Sequence, residues 1–173
     1  MMRPSVEVRR ATAADAPRIA AVHVRGWQDG YRDLLTADLL AGLDIDERAA
    51  VWEQRLAADE PPLILVAIVD DAVAGFVSAG PSRDEPGHSE IYALYVDPAR
   101  WRGGVGAALL DAALTALPPS PVHLWVLADN ARGRAFYASQ GFEPDGRTKV
   151  QERQGARLAE VRYLLCAFGD HQS

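Results

Sequence analysis

Three glycines and two arginines stand directly before an alanine-leucine run in the segment RWRGGVGAALL, residues 100–110. Glycines let backbone N–H groups approach a ligand closely, and the N-terminus of a following helix attracts negative charge. The segment therefore predicts a phosphate-binding loop. Dinucleotides, ATP and coenzyme A are all compatible with it, and a glycine turn that merely enters a helix between surface arginines is the alternative.

The residues around the loop argue against two of these ligands. A dinucleotide fingerprint requires G-x-G-x-x-G after an early strand, and the phosphate loop of ATPases ends in Gly-Lys-Ser/Thr. Here the loop ends in GGVGAAL, residues 103–109, without that lysine or hydroxyl. A nucleotide-binding domain is therefore the weaker interpretation.

The elements before the loop are predicted from apolar spacing and helix-start residues. Residues 6–10, VEVRR, alternate apolar and polar side chains and predict a first strand. Thr12 and Asp15 form an approximate capping box at the start of a first helix. Thr36 and Asp46 predict the starts of one short and one longer helix.

The remaining elements complete an α/β order. Two apolar runs around a pair of aspartates predict a hairpin, and residues 88–97 predict the strand that precedes the glycine loop. After the loop helix come a buried strand at 122–129 and a helix at 130–142, with a closing hairpin around Gly155. This order predicts a mixed sheet with helices.

Composition limits the classes of protein to which the chain belongs. Of its 173 residues 49% are apolar and 24% are charged, which is typical of one folded globular domain and excludes wholesale disorder. The net charge of −6 argues against general nucleic-acid binding, which requires a basic face. The longest apolar run, residues 63–69, is too short to span a bilayer, and MMRPSVEV lacks a signal-peptide core. We expect a soluble, cytoplasmic protein without a membrane partner.

Cysteine and histidine spacing predicts neither a disulfide nor a metal site. Cys166 is the single cysteine and lies in an apolar stretch, where a small buried hydrophobe is the favoured role. The four histidines are far apart in sequence, so no metal-ligand spacing is present: His23, His88, His123 and His171.

Taken together, residues 90–110, EIYALYVDPARWRGGVGAALL, and residues 124–142, LWVLADNARGRAFYASQGF, resemble the GCN5-related N-acetyltransferases (GNAT). Members of this superfamily transfer an acyl group from acyl-CoA to an amine. The resemblance implies a GNAT fold over a single domain, residues 1–173, with a mixed, mostly antiparallel central sheet of about seven strands flanked by helices. Two central strands splay apart in that fold, and the pantetheine arm lies in the gap.

The resemblance assigns the glycine loop to the pyrophosphate of acetyl-CoA. Matching Gly104 and Gly106 to the family's glycines puts Trp101 where the family has Arg or Gln, which is a departure. Arg100 and Arg102 flank that position and are candidates for the missing charge. The full set of residues that the resemblance assigns to the cofactor is Leu94, Tyr95, Val96, Arg100, Trp101, Arg102, Gly103, Gly104, Val105, Gly106, Asn130, Arg134, Phe136 and Tyr137.

The family chemistry is direct acetyl transfer in a ternary complex. A lysine-like amine has a pKa of about 10.4, so a base must first remove a proton. Glu90 occupies the family's carboxylate position, although a solvated strand-end carboxylate is an equal alternative. A backbone N–H near Tyr95 or Val96 is the expected oxyanion donor. Tyr137 matches the family tyrosine that protonates the leaving thiolate, and core packing beside Phe136 is the alternative, which helical geometry disfavours because adjacent residues point to different faces.

The acceptor and the partners are less defined. Trp27 and Tyr31 lie four apart on one helical face and either stack on an acceptor amine or pack in the core. Asn130 either reaches toward the pantetheine or caps its helix, and these roles are compatible. The acceptor is a small molecule or a peptide, and the family is compatible with a homodimer. A non-catalytic acyl-CoA-binding or sensor domain is the alternative function.

Overall fold

The computed structural model describes residues 5–33, 35–153 and 155–165. Its helices are α1 (Ala16–Gly30), α2 (Ala37–Ala41), α3 (Ile45–Leu56), α4 (Val105–Ala116) and α5 (Ala131–Ser139). Its strands are β1 (Glu7–Arg10), β2 (Leu63–Val69), β3 (Ala72–Pro81), β4 (Ser89–Val96), β5 (Val122–Leu127), β6 (Glu143–Arg153) and β7 (Ala156–Leu165). The strand order is β1-β2-β3-β4-β5-β7-β6, with parallel pairing between β4 and β5. The predicted α/β class with a mixed, mostly antiparallel sheet is confirmed.

The chain divides into two compact units. The first unit comprises residues 1–79 and 93–116, and the second comprises residues 80–92 and 117–173. Strands β3 and β4 each contribute residues to both units. Cys166, which the sequence predicted to be a buried hydrophobe, lies outside the described residues. None of the described helices is long and apolar enough to cross a membrane.

The first unit is built on an apolar core between α1, α3 and β2–β3. Ile19, Trp52, Val66 and Phe76 are almost completely buried there. Helix α1 packs against α3, and α4 packs against β1 and β2. Burial of such large apolar side chains is the main favourable contribution to folding, at about 1.5–3 kcal/mol for each.

Side chains cap the starts of α2 and α3, with one correction to the prediction. Thr36 accepts a hydrogen bond from the backbone N–H of Leu39, so the predicted start of α2 is confirmed. The start predicted at Asp46 is wrong, because Asp44 is the N-cap of α3 and accepts from the N–H groups of Asp46 and Glu47. Asp46 lies instead in the first helical turn, where its charge favourably meets the helix dipole.

Two tight turns confirm the predicted hairpins. Asp70 and Asp71 both adopt left-handed conformations, with φ of 50° and 62°, between β2 and β3. A two-residue turn of this kind has the twist that antiparallel strands require, and Asp tolerates a positive φ better than most residues. At the other end of the chain β6 pairs with β7 from Arg153 opposite Ala156, and Gly155 has a φ of 77°.

The second unit contains the start of β4 together with β5, β7, β6 and α5. Residues Ser89–Ile91 of β4 pair with Val122–Leu124 of β5, so that Glu90 lies opposite His123. Strand β5 then pairs antiparallel with β7, which brings Arg162 opposite Trp125. Polar side chains on three neighbouring strands therefore enter the interior of this unit.

Candidate functional site

The glycine loop in the first unit presents successive backbone N–H groups. Arg102 and Gly104 have φ of 65° and 81°, which places left-handed residues on alternate positions of the loop. Alternation of this kind turns neighbouring N–H groups toward a common point and forms an anion-binding concavity. Helix α4 begins directly afterwards at Val105, and its N-terminal dipole adds to the attraction for an anion.

Arg100, Trp101 and Arg102, at and beside the family's Arg/Gln position, have different environments. Arg100 donates to Asp70 in the β2–β3 turn, with a 3.0 Å ion pair. Trp101 donates its indole N–H to the backbone oxygen of Val96 at 3.0 Å, which ties the loop to the end of β4. Arg102 forms no ion pair with any residue that the structure describes. Of the two flanking cations, Arg102 is therefore the one not already neutralised.

A pocket of about 230 Å³ lies against the same loop. The cations in its lining are the two arginines that flank Trp101, and the rest of the lining is mostly apolar. Its lining residues are Val6, Val69, Ala99, Arg100, Trp101, Arg102, Gly103 and Val105.

The carboxyl-terminal half of β4 is packed tightly in the first unit. The ring of Tyr95 lies against Gly26 of α1, and a Cβ atom on Gly26 would come within 2.6 Å of that ring. The centroids of the Tyr95 and His23 rings are 4.8 Å apart. Its backbone oxygen would be 2.7 Å from a Cβ on Gly75 of β3. The side chain of Tyr95 thus belongs to an aromatic cluster, while Leu94 and Val96 beside it are half-buried.

Trp27 and Tyr31 stack on each other in α1. Their ring centroids are 4.3 Å apart with an interplanar angle of 7°. Trp27 is 6% exposed, so it is a core residue of the first unit. Tyr31 covers it and is half-buried, which leaves Tyr31 as the more accessible member of the predicted acceptor pair.

Glu90 lies in the second unit and is 1% exposed. Its Oε1 accepts a hydrogen bond from the backbone N–H of Arg83 at 3.0 Å, and its Oε2 pairs with Nη2 of Arg83 at 2.6 Å. Glu90 is therefore not a solvated strand-end carboxylate. Charge-assisted hydrogen bonds of this length hold the carboxylate in one orientation.

His123 is completely buried beside Glu90. Its Nε2 lies 3.0 Å from Oγ of Ser82 and 3.6 Å from Oε1 of Glu90, and its Nδ1 lies 3.4 Å from Nη1 of Arg162. Burial lowers the pKa of His123, and the nearby Arg162 charge lowers it further. The carboxylates of Glu90 and Asp84 act in the opposite direction but do not cancel the decrease. Arg162 can only donate, so a hydrogen bond between these two side chains uses Nδ1 of His123 as the acceptor.

The sequence did not predict Arg83 and His123 as neighbours of Glu90, or Arg162 as a contact of His123. The only signal was a polar residue in the second position of each of two apolar strands, Glu90 in SEIYALYV and His123 in VHLWVL. Buried polar residues in strands require partners, but the partners themselves come from other strands and from the β3–β4 loop.

The structure also groups ligands that sequence spacing kept apart. Glu85, His88 and His123 offer ligand atoms within 4.8 Å of one another. Arg162 already places its guanidinium 2.9 Å from Glu85 and 3.4 Å from His123. The carboxylate of this group is therefore already paired with the Arg162 guanidinium.

Helix α5 begins at the predicted cap. Oδ1 of Asn130 accepts from the N–H of Gly133 at 2.9 Å, and a Cβ on Gly133 would come within 2.6 Å of the Asn130 amide. Arg134 donates to the backbone oxygen of Ala128 at 3.0 Å and to Oη of Tyr163 at 3.1 Å. Arg134 thus ties α5 to the end of β5 and to β7.

The two neighbouring aromatic residues of α5 contact each other. The ring centroids of Phe136 and Tyr137 are 5.2 Å apart in an edge-to-face arrangement, and Tyr137 also lies 6.0 Å from Phe142. The expectation that adjacent positions separate these rings is wrong, because side-chain rotation brings large rings together across one helical step. Both are half-buried, so neither is a fully enclosed core residue.

The predicted site residues are thus distributed over both units. The first unit holds Trp27, Tyr31, residues 94–96 and the loop at residues 100–106. The second unit holds Glu90 and the α5 residues, among them Tyr137.

Comparison with known proteins gives a consistent family. The model of the acetyltransferase (GNAT) family matches residues 27–142. A probable N-acetyltransferase of Mycobacterium tuberculosis is 30% identical over 170 residues, which is 95% of this chain and 96% of that protein. A mycothiol acetyltransferase of Clavibacter sepedonicus is 38% identical over 86% of this chain, and the chain spans 47% of that longer relative.

Solved structures share the fold. The ribosomal-protein-alanine N-acetyltransferase of Brucella melitensis superposes with a TM-score of 0.67 at 27% identity, over 92% of this chain and 99% of that one. The PaiA N-acetyltransferase of Thermoplasma acidophilum, solved with coenzyme A, gives a TM-score of 0.67 at 21% identity, over 91% of this chain and 98% of that one. The predicted GNAT fold is confirmed.

Proposed function

Because the chain belongs to the GNAT acetyltransferase family, we propose that Glu90 and Tyr137 are the base and the acid with which it acetylates an amine. The protein is an acyltransferase that uses acetyl-CoA. The acceptor is a primary amine of a small molecule or a peptide, and the whole chain acts as one cytoplasmic acetyltransferase domain. The observation that carries the proposal is the family match over residues 27–142, which includes both residues and the glycine loop.

The glycine loop binds the pyrophosphate in this proposal. Backbone N–H groups between Arg102 and Gly106 donate to the phosphate oxygens, and the N-terminus of α4 adds its partial positive charge. Arg102 supplies the side-chain charge, since Arg100 is paired with Asp70. Trp101, in the family's Arg/Gln position, holds the loop through its bond to Val96 instead of meeting the phosphates.

Acetyl transfer then follows in one complex. Glu90 takes a proton from the acceptor ammonium through a water, because its carboxylate is buried. The neutral amine attacks the thioester carbonyl, and a backbone N–H of Tyr95 or Val96 stabilises the resulting oxyanion. As the C–S bond breaks, Tyr137 gives its phenolic proton to the thiolate, and the second proton, which the attacking nitrogen loses on becoming an amide, restores the phenol. A thiol pKa of about 8.5 makes this acid helpful without being indispensable.

Calorimetric titration with acetyl-CoA, together with a CoA-release assay, tests the proposal. ATP and NADH serve as ligand controls. We expect selective acetyl-CoA binding that Glu90→Gln and Tyr137→Phe both retain within about threefold, with kcat lowered about 10²–10³-fold by Glu90→Gln and about tenfold by Tyr137→Phe. Glu152→Gln, an exposed carboxylate on β6, is the matched control and should leave turnover unchanged.

The outcomes separate the two functions. Unchanged kcat in both variants would exclude the assigned catalytic residues. Tight acetyl-CoA binding without transfer to any amine would favour the sensor domain, and absence of acetyl-CoA binding would exclude both functions.

A further inference from the structure

Arg83 lies in the loop between β3 and β4, and this loop has a defined conformation. Oγ of Ser82 accepts from the backbone N–H groups of Asp84 at 3.1 Å and Glu85 at 2.9 Å, which closes a serine turn. The backbone N–H of Arg83 donates to Oε1 of Glu90. The backbone of Arg83 is therefore held in place independently of the contacts of its side chain.

The guanidinium of Arg83 is held on two sides and open on a third. Its Nη2 pairs with Oε2 of Glu90 at 2.6 Å, and its Cζ lies over the ring of Tyr92, 4.9 Å from the ring centroid. Tyr92 is itself anchored by donating its hydroxyl to the backbone oxygen of Pro81. The Arg83 side chain is nevertheless 64% exposed, and Nη1 makes no hydrogen bond with a residue in the described part of the chain. An arginine ordered in this way keeps donors for a further planar anion.

Neighbouring carboxylates are already engaged elsewhere. Asp84 accepts from the indole N–H of Trp125 at 2.6 Å, and Glu85 pairs with Arg162 at 2.9 Å. Glu90 is the carboxylate that pairs with Arg83, and it is the proposed base. The open edge of Arg83 thus provides a positive charge next to the group that accepts the acceptor's proton.

We propose that Arg83 binds the carboxylate of the acceptor and that the acceptor is a free α-amino acid. This inference rests on the proposed role of Glu90. In an α-amino acid the amine and the carboxylate are separated by a single carbon, so a ligand with its carboxylate on Arg83 has its amine beside Glu90. A polyamine or lysine-rich peptide would bring a second cation against Arg83 and is disfavoured, although the net charge of −6 would attract it at long range.

The experiment compares each amino acid with its methyl ester as acceptor, using acetyl-CoA and CoA release. For the preferred side chain, we expect kcat/KM for the free acid to exceed that for the ester by at least about tenfold, as charge-assisted hydrogen bonds allow. Arg83→Gln should bring this acid-to-ester ratio close to one, and Arg83→Lys should retain part of it, because lysine keeps the charge but not the fork. The ratio is the readout because loss of a merely structural arginine would lower both rates together.

Arg147→Gln is the matched control. Arg147 is also partly exposed and lies 3.8 Å from Glu85, and its replacement should leave the acid-to-ester ratio unchanged. An acid-to-ester ratio near one in the wild type, or acetylation of other amines but of no free amino acid, would overturn the role of Arg83 and leave the proposed function standing. Absence of transfer from acetyl-CoA to any amine would instead overturn the proposed function.

Discussion

Replacing Gly75 by alanine tests how tightly β3 supports the proposed acyl-binding end of β4. The new Cβ would lie 2.7 Å from the backbone oxygen of Tyr95, 3.1 Å from Cδ1 of Leu109 and 3.3 Å from Cγ1 of Val105. The first contact is with backbone, which cannot rotate away as the end of a side chain can. Strand β4 must therefore shift, or β3 must bend.

The expected cost follows from these contacts. Overpacking in a core costs about 1–3 kcal/mol, and the loss of glycine's freedom in the unfolded chain returns about 0.4–1 kcal/mol. The net loss is about 1–2 kcal/mol, which lowers the melting temperature by roughly 2–8 °C for a domain of this size. Because the displaced atom belongs to Tyr95, acetyl-CoA should also bind more weakly.

Calorimetric melting and acetyl-CoA titration measure the two effects. Gly30→Ala in α1 is the control, because a Cβ there meets no atom within 4 Å. Its helical position should leave stability unchanged or raise it by up to about 1 kcal/mol. A Gly75→Ala protein that melts at or above the temperature of the Gly30→Ala protein would refute the packing argument.

Two further predictions concern charge. Arg102→Ala should weaken acetyl-CoA binding about tenfold in low salt. Arg100→Ala should weaken it less than about threefold, because the Arg100 guanidinium is already paired with Asp70. Titration at two salt concentrations checks this, and a larger loss for Arg100→Ala than for Arg102→Ala would contradict it. Hydrogen bonding from Arg9 lowers the pKa of Asp15, so this pair stabilises the fold above the ordinary carboxyl pKa of about 3.9 and loses that effect as the pH falls through the lowered value. Denaturant unfolding should show Asp15→Asn less stable than wild type at pH 7 by about 1 kcal/mol, with a gap that closes below about pH 4; a gap that does not change with pH would disprove the linkage.

Local chemistry accounts for the features that could be predicted from sequence. The aspartate pair at the β2–β3 turn, the Asn130 cap and the glycine loop all depend on conformations of adjacent residues, which side-chain type largely determines. The same locality explains the error at α3, where Asp44 and Asp46 are both suitable near a helix start and only the backbone conformation distinguishes them.

The environment of Glu90 could not be predicted in the same way. Its partner Arg83 comes from a loop, His123 from β5, and Arg162, which contacts His123, from β7. Which of these strands are neighbours is decided by sheet topology, and a register shift of one residue would turn each side chain to the opposite face. Burial of Glu90 is likewise a property of the assembled sheet, so the sequence was equally compatible with a catalytic base and with a solvated carboxylate at this position.

The sequence by itself determined the α/β element order, the glycine loop, the family and the acetyl-CoA chemistry that the family performs. These features are encoded in contiguous segments, because the conformations of turns, loops and helix starts depend mainly on neighbouring residues. The tertiary structure decided which loop arginine is neutralised and which groups surround the proposed base. Such pairings join residues far apart in the chain, and their electrostatic strength depends on a burial that exists only once the strands have assembled.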